Sequence, residues 1–329
     1  MSANSSIEWT DRTWNPVRGC SVISPGCVNC YAMKQAHRFS GEGRAYEGLT
    51  KLTKAGPQWT GKIRTVESAL LDPLSWRKPQ RVFVNNMSDL FHEDVPREFI
   101  TQVFAVMQAQ PYLTFQVLTK RPERMRELLS DRQFEYDCET AGDDMAGERG
   151  WCHANQDRPW PLSNVWLGVS VENKDALERI HRLKDTPAAV RFVSFEPLLE
   201  HLGAVRLDGI HWGIIGGESG PRARRCAAAW IRSLVRECRR QGVAPFVKQM
   251  GANVIDRNDA GFDGCGERSW PEMDPDDIED DINGYREEYQ GADVRVRLND
   301  RKGGDMAEWP VDLQVREFPG LPRRGAPGP

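Results

Sequence analysis

From Arg81 to Gln249 the chain repeats one pattern: a short apolar run, a polar stop, then apolar residues at helical spacing. The runs are Arg81-Val82-Phe83-Val84-Asn85, Thr114-Phe115-Gln116-Val117-Leu118 and Val165-Trp166-Leu167-Gly168-Val169. Val190-Arg191-Phe192-Val193, Ile210-His211-Trp212-Gly213-Ile214-Ile215 and Ala244-Pro245-Phe246-Val247 continue the series. Short, near-continuous apolar runs alternating with helical patterns predict strands buried on both faces, hence a parallel sheet in an α/β fold. Helices are expected at residues 97–109, near 122–130, from Ala176 to Leu183, and around Ile231, Leu234, Val235 and Cys238. In such folds the carboxyl ends of the strands form the active face. Closing or partly closing the sheet gathers Asp89, Lys120, Glu172, Asn173, Glu196, Glu218 and Lys248 around one mouth.

Ahead of this alternation stands a cysteine triplet, Cys20, Cys27 and Cys30, spaced C-x6-C-x2-C. Pro25-Gly26 favours a turn inside it, and a helix is expected from Tyr31 to Arg38. Thiolates are soft ligands that suit zinc or an iron–sulfur cluster. A four-iron cluster takes one cysteine per iron, so three local cysteines leave one iron open to a small molecule. The zinc alternative needs a fourth ligand, such as Cys226 or His37, but zinc sites favour two short hooks and only one is present.

At 329 residues the chain has ample length for a large core. No apolar run approaches the ~20 residues of a membrane helix. The start, Met1 to Ser6, lacks the basic and apolar segments of a signal peptide, so a cytoplasmic protein with reduced cysteines is expected. The net charge of −4 argues against coating nucleic acid by bulk electrostatics and leaves room for a local basic groove.

Residues 40–80 read as loop and short helix. Residues 131–163, with Cys138, Cys152 and His153, read as an insertion; residues 252–296 read as an acidic loop or lid. The division expected is residues 1–250 as the α/β part and 251–329 as a C-terminal extension, with Arg323 to Pro329 disordered. Lys302-Gly303-Gly304-Asp305-Met306-Ala307-Glu308-Trp309-Pro310 is a candidate to close over the site. Cys238 belongs to an apolar helical stripe; Cys226 reads as structural, and Cys138, Cys152 and Cys265 are too widely spaced to make a second metal site convincing. Gly216-Gly217-Glu218-Ser219-Gly220 lacks the Gly-Lys-Ser/Thr ending of a phosphate loop and reads as a turn of close backbone approach. Arg222, Arg224 and Arg225 beside it are candidates to meet a phosphate, whereas Arg232, Arg236, Arg239 and Arg240 read as a solvated helix face. His92 is a substrate candidate or a cap; His181, His201 and His211 carry less signal.

The triplet followed by βα units resembles the radical S-adenosylmethionine (radical SAM) superfamily. More narrowly, Ile7-Glu8-Trp9-Thr10, Trp14-Asn15-Pro16, Gly19-Cys20, Ser24-Pro25-Gly26-Cys27 and Cys30-Tyr31-Ala32 resemble phage and bacterial three-Cys-motif proteins. So do Asn85-Asn86-Met87-Ser88-Asp89-Leu90-Phe91-His92, Gly168-Val169-Ser170-Val171-Glu172-Asn173 and the block ending in Trp309-Pro310. The resemblance implies a partial (β/α)6 TIM-like barrel holding a [4Fe-4S] cluster on Cys20, Cys27 and Cys30. It implies SAM on the open iron, cleavage to a 5′-deoxyadenosyl radical, and a reducing partner of flavodoxin or ferredoxin type. Ser88 and Asp89 stand where the superfamily carries Gly-Gly-Glu for the SAM amino group. Ser170, Glu172 and Asn173 fall where members bind ribose or carboxylate, and Glu218 is a further candidate for orienting the ligand. The first cysteine gap is six residues rather than three, and Asn29 replaces the usual aromatic before the last cysteine.

Three readings of function follow, one of them a radical SAM enzyme whose substrate is a protein or small metabolite. The first is a radical SAM enzyme acting on a nucleotide or nucleic acid, as the arginines and a distant likeness to spore photoproduct lyase suggest. Its substrate candidates are His92, Lys120, Glu196, Arg222, Arg224, Arg225 and Lys248. The alternative is a zinc- or cluster-stabilised binding protein without turnover.

Overall fold

A computed structural model describes residues 5–149, 159–256, 294–296 and 298–320. The chain divides into two compact units, one chiefly Met1–Ser170 and Leu177–Ser194, the other Val171–Ala176 and Phe195–Pro319.

The first unit opens with β1 (Arg12–Trp14), β2 (Val17–Arg18), α1 (Tyr31–Arg38), β3 (Thr50–Thr53), β4 (Gly56–Trp59), β5 (Arg64–Thr65) and α2 (Glu67–Leu70). The alternation expected from the sequence follows as β6 (Gln80–Val84), α3 (Arg97–Ala109), β7 (Leu113–Thr119), α4 (Pro122–Leu129) and α5 (Arg132–Arg149). It closes with β8 (Val165–Ser170), α6 (Glu178–Lys184) and β9 (Val190–Phe195). Hydrogen bonding runs in the order β1-β6-β7-β8-β9, parallel throughout. Every residue of β8 is buried, as a strand covered on both faces requires.

This sheet is curled. The Trp9 ring packs tilted at 4.6 Å from Phe83 of β6 and reaches Phe192 of β9 at 6.3 Å, and the Trp9 carbonyl accepts the Gln116 side chain of β7. Strands three apart in a flat sheet lie about 14 Å from one another, so one indole meets both only if the face carrying Phe83, Gln116 and Phe192 is concave. Gly168 of β8 leaves room on this sheet for the Phe192 ring, which a Cβ there would run into.

Residues 132–149, expected as part of an insertion, are helical, with Phe134, Cys138 and Met145 on one buried stripe. Phe134 packs edge-on against Phe104 of α3 and against Trp160. Cys138 is therefore a core residue, and burial pushes its thiol upward. Cys152, His153, Cys265 and Arg323 to Pro329 lie outside the described residues.

The second unit contains β10 (Trp212–Gly216), β11 (Cys226–Ala227), α7 (Ala228–Arg240), β12 (Ala244–Gln249), β13 (Val254–Asp256) and β14 (Val294–Arg295). β10 and β12 run parallel; β13 lies between parallel β11 and antiparallel β14. Ile231, Leu234, Val235 and Cys238 of α7 are buried as the spacing predicts. Gly213 leaves the room that the Cys238 thiol occupies, since a Cβ there would come 2.8 Å from its sulfur. Arg232 departs from the expected solvated face: it is buried and bridges Asp256 and Asp312.

The block Lys302–Pro310 is a clasp on β12. Gly303 accepts Met250 N–H at 2.7 Å and the Trp309 indole at 3.0 Å. Further along, Val247 N–H donates to Val315 and Glu317 N–H to Pro245, so residues 315–317 cover an edge of β12 that would otherwise present open backbone groups. Among the described residues no helix is long and apolar enough to cross a membrane.

Candidate functional site

The cysteine loop is held at the carboxyl ends of β6 and β7. Gly19 pairs with Ser88 just beyond β6, and the Ser88 hydroxyl donates to Val17 at 2.7 Å. Gly19 has φ +92° and lies so close to the Lys62 carbonyl that any side chain there would collide with it. Pro25–Cys27 forms the expected turn, with Cys27 N–H donating to Ser24 at 3.0 Å and Cys30 N–H to Cys27 at 3.2 Å. Cys30 then caps α1, which spans Tyr31–Arg38 as the sequence predicts.

All three thiols are half-buried. Burial, reinforced by the Asp89 carboxylate and the other two cysteines and opposed by Arg121, pushes Cys20 up to about 12. Burial also raises Cys30, against the N–H groups of Ala32 and Met33 at the start of α1 and the nearby Lys120. Cys20 and Cys30 thus need a local cation to ionise fully. Among the described residues, no three Cys, His, Asp or Glu side chains are already drawn together as a metal-binding group.

A buried polar node braces this loop. Asp89 Oδ1 accepts Phe91 N–H at 3.0 Å and the Thr119 hydroxyl at 2.7 Å; Oδ2 accepts Lys120 N–H at 3.2 Å and Arg121 Nη1 at 3.0 Å. Four donors occupy both oxygens, so the carboxylate is engaged by the chain itself. Arg121 divides its guanidinium three ways: to Asp89, to Glu93 through Nε at 2.7 Å, and to the Ser21 hydroxyl through Nη2 at 2.6 Å. Ser21 directly follows Cys20, so the guanidinium ties the strand ends to the first cysteine.

His92 meets the same hydroxyl through Nε2 at 2.9 Å, while its Nδ1 accepts Asp94 N–H at 3.2 Å. The latter bond makes Nε2 the protonated nitrogen of the neutral ring. Ser21 Oγ then accepts from both His92 and Arg121. Burial, followed by the Arg121 charge, lowers the His92 pKa and favours that neutral ring.

The far end of the loop is tied to the same strand-end block. Tyr31 Oη donates to the Asn86 carbonyl at 2.7 Å, and Asn15 Nδ2 donates to Asn86 Oδ1 at 2.7 Å. Asn85, in the left-handed region at φ 59°, accepts Val17 N–H through Oδ1. The stretch Asn85–His92 is thus a brace touching both ends of the loop. Sequence reasoning missed Arg121, Ser21 and Asn86.

In the second unit, Lys248 at the end of β12 pairs with Glu196 at 3.0 Å, both largely buried. A Cβ at Gly216 would come 2.8 Å from Glu196 Oε1, so that glycine leaves the carboxylate its place. Glu218 accepts the backbone N–H, Nε and Nη2 of Arg224, which commits Arg224 to a carboxylate rather than to a phosphate alone. Arg222 and Arg225 are exposed on the same turn. Glu172 is fully buried, its carbonyl accepting Leu199 N–H at 2.9 Å, and Asn173 is half-buried. Cys226 is a core residue whose thiol burial pushes up to about 12. In the first unit, Ser170 lies at the carboxyl end of β8 and its carbonyl accepts Arg179 at 2.7 Å. His37 is hydrogen-bonded to Thr50 and Ser40.

Residues 4–303 match the family described as "Protein of unknown function (DUF5131)". The chain belongs to this family. The match takes in the cysteine loop, its brace and the strand ends of both units, and stops at the Gly303 of the β12 clasp. No curated protein and no solved structure matches the chain.

Proposed function

We propose that this DUF5131 member is a radical SAM enzyme whose [4Fe-4S] cluster is held by Cys20, Cys27 and Cys30. The observation that carries the reading is one loop with three half-buried cysteines, set at the carboxyl ends of parallel strands in a curled sheet. The donor set fits the group: three soft ligands, with the N-terminus of α1 and Lys120 beside Cys30 and Arg121 beside Cys20 to favour thiolate. When bound, such a cluster supplies the electron that breaks a carbon–sulfur bond of SAM and begins hydrogen abstraction from substrate.

In this reading the parallel strands belong to a partial (β/α)6 barrel. Arg121, Asp89, Ser88 and Asn86 position the loop, and Ser170, Glu172 and Asn173 are the residues offered to SAM. The Glu196–Lys248 pair and the exposed Arg222 and Arg225 are offered to substrate. A flavodoxin- or ferredoxin-type protein supplies electrons.

Metal content tests the cluster. Anaerobic reconstitution is expected to give about four iron and four labile sulfide per chain, lost in the Cys20→Ala/Cys27→Ala/Cys30→Ala variant. Tightly held zinc with no iron uptake would instead favour the binding-protein reading.

A further inference from the structure

Between the cysteine loop and β6 lies a small module with its own core. α1 packs on the β3–β4 hairpin through Ala32, Met33, Ala36, Tyr46, Leu49 and Trp59, and Cys20, Cys30 and Met87 pack against that cluster. From Tyr31 to Thr65 the module carries seven Lys or Arg and two acidic residues, Glu42 and Glu47, in a chain whose net charge is −4. Arg44, Lys51, Lys54, Lys62 and Arg64 are exposed; on α1, Arg38 is exposed and Lys34 half-exposed.

The ion pairs Arg81–Asp11, Arg97–Asp131, Arg121–Asp89, Arg232–Asp256 and Lys248–Glu196 all lie outside the module. Among the described residues, none of the seven forms an ion pair; Arg64 spends its guanidinium on the carbonyls of Ala45 and Glu47, and Arg38 on Gln35. A body of about 35 residues has a radius of gyration of roughly 8–9 Å, comparable with the screening length at physiological salt, so its charges act as one positive field. Apolar side chains stand among them: Tyr31, Phe39 and Leu52 are 47%, 49% and 71% exposed. Uncompensated cations interleaved with exposed rings are what a single-stranded nucleic acid needs, with phosphates on the cations and bases on the rings.

We infer that the α1/β3–β4 module is a docking surface for single-stranded nucleic acid, delivering it beside the cysteine loop. The inference names a substrate class for the proposed enzyme, and it is tested without iron, so its failure and that of the cluster reading are separable. Full-length, iron-free protein is titrated into a fluorescein-labelled, mixed-sequence DNA strand of about 20 nucleotides, followed by anisotropy across a salt series.

Binding that weakens with salt is expected. The Arg44→Gln/Lys51→Gln/Lys54→Gln/Lys62→Gln variant should bind about ten-fold more weakly or worse at low salt, with the slope of log K against log salt shallower by about 3. Phe39→Ala should weaken binding with the slope unchanged. A control variant, Lys174→Gln/Arg206→Gln/Arg239→Gln/Arg240→Gln, should bind like the parent. No salt-dependent binding, or equal loss in the control, would overturn the inference. Displacement by poly-L-glutamate as effective as by unlabelled DNA would overturn it too, assigning the surface to an acidic protein.

Discussion

Arg121 holds three acceptors that belong to three parts of the chain: Asp89 after β6, Glu93 beyond it, and Ser21 in the cysteine loop. Removing one member of a buried ion pair strands the other, at a cost of about 3–5 kcal/mol. Arg121→Met is therefore expected to lower urea-unfolding stability by that order and to reduce iron retention, because Ser21 loses its strongest donor. Arg121→Lys keeps the charge but reaches fewer acceptors, and should fall between the two. This residue was illegible in the sequence: it sits in a Thr-Lys-Arg strand end where Lys120 has an equal claim, and only the fold shows which cation turns inward. Asp89 was legible as a strand-end polar residue, but not its bracing contacts, since four donors from its own chain cannot be counted in a sequence. In the second unit, burial, then Lys174 and Arg236, holds the His201 pKa below its ordinary 6.5. The unfolded chain then takes up the proton first as pH falls through 6.5, so stability drops over the window just below it. A His201→Gln variant is expected to show a flatter stability–pH profile there.

At the scale of elements, strands and helices were legible where burial imposed a period. β8 is buried throughout and α7 shows a clean stripe, and both stand where their apolar spacing put them. The β3–β4 hairpin was not legible, because β3 reads Thr-Lys-Leu-Thr and buries no residue fully. Helix α5 was hidden by its many acidic residues, its buried stripe being narrow. The sheet is closely packed at one position: Gly168→Ala places a methyl in the Phe192 ring and is expected to cost about 1–3 kcal/mol. Restoring space with Phe192→Leu should recover part of that loss in thermal unfolding, whereas additive destabilisation would contradict the proposed contact.

For the molecule as a whole, the order of elements was readable because parallel α/β chains write each strand and helix consecutively. Charge was less readable: a total of −4 conceals a basic module ahead of the alternation. The proposed function rests on the cysteine loop, so SAM cleavage is the decisive measurement. Anaerobically reconstituted protein, given dithionite and SAM, should form 5′-deoxyadenosine, detected by chromatography, and the Cys27→Ala variant should form none. Equal product from parent and variant, or none from a parent with a full complement of iron and sulfide, would contradict the assignment.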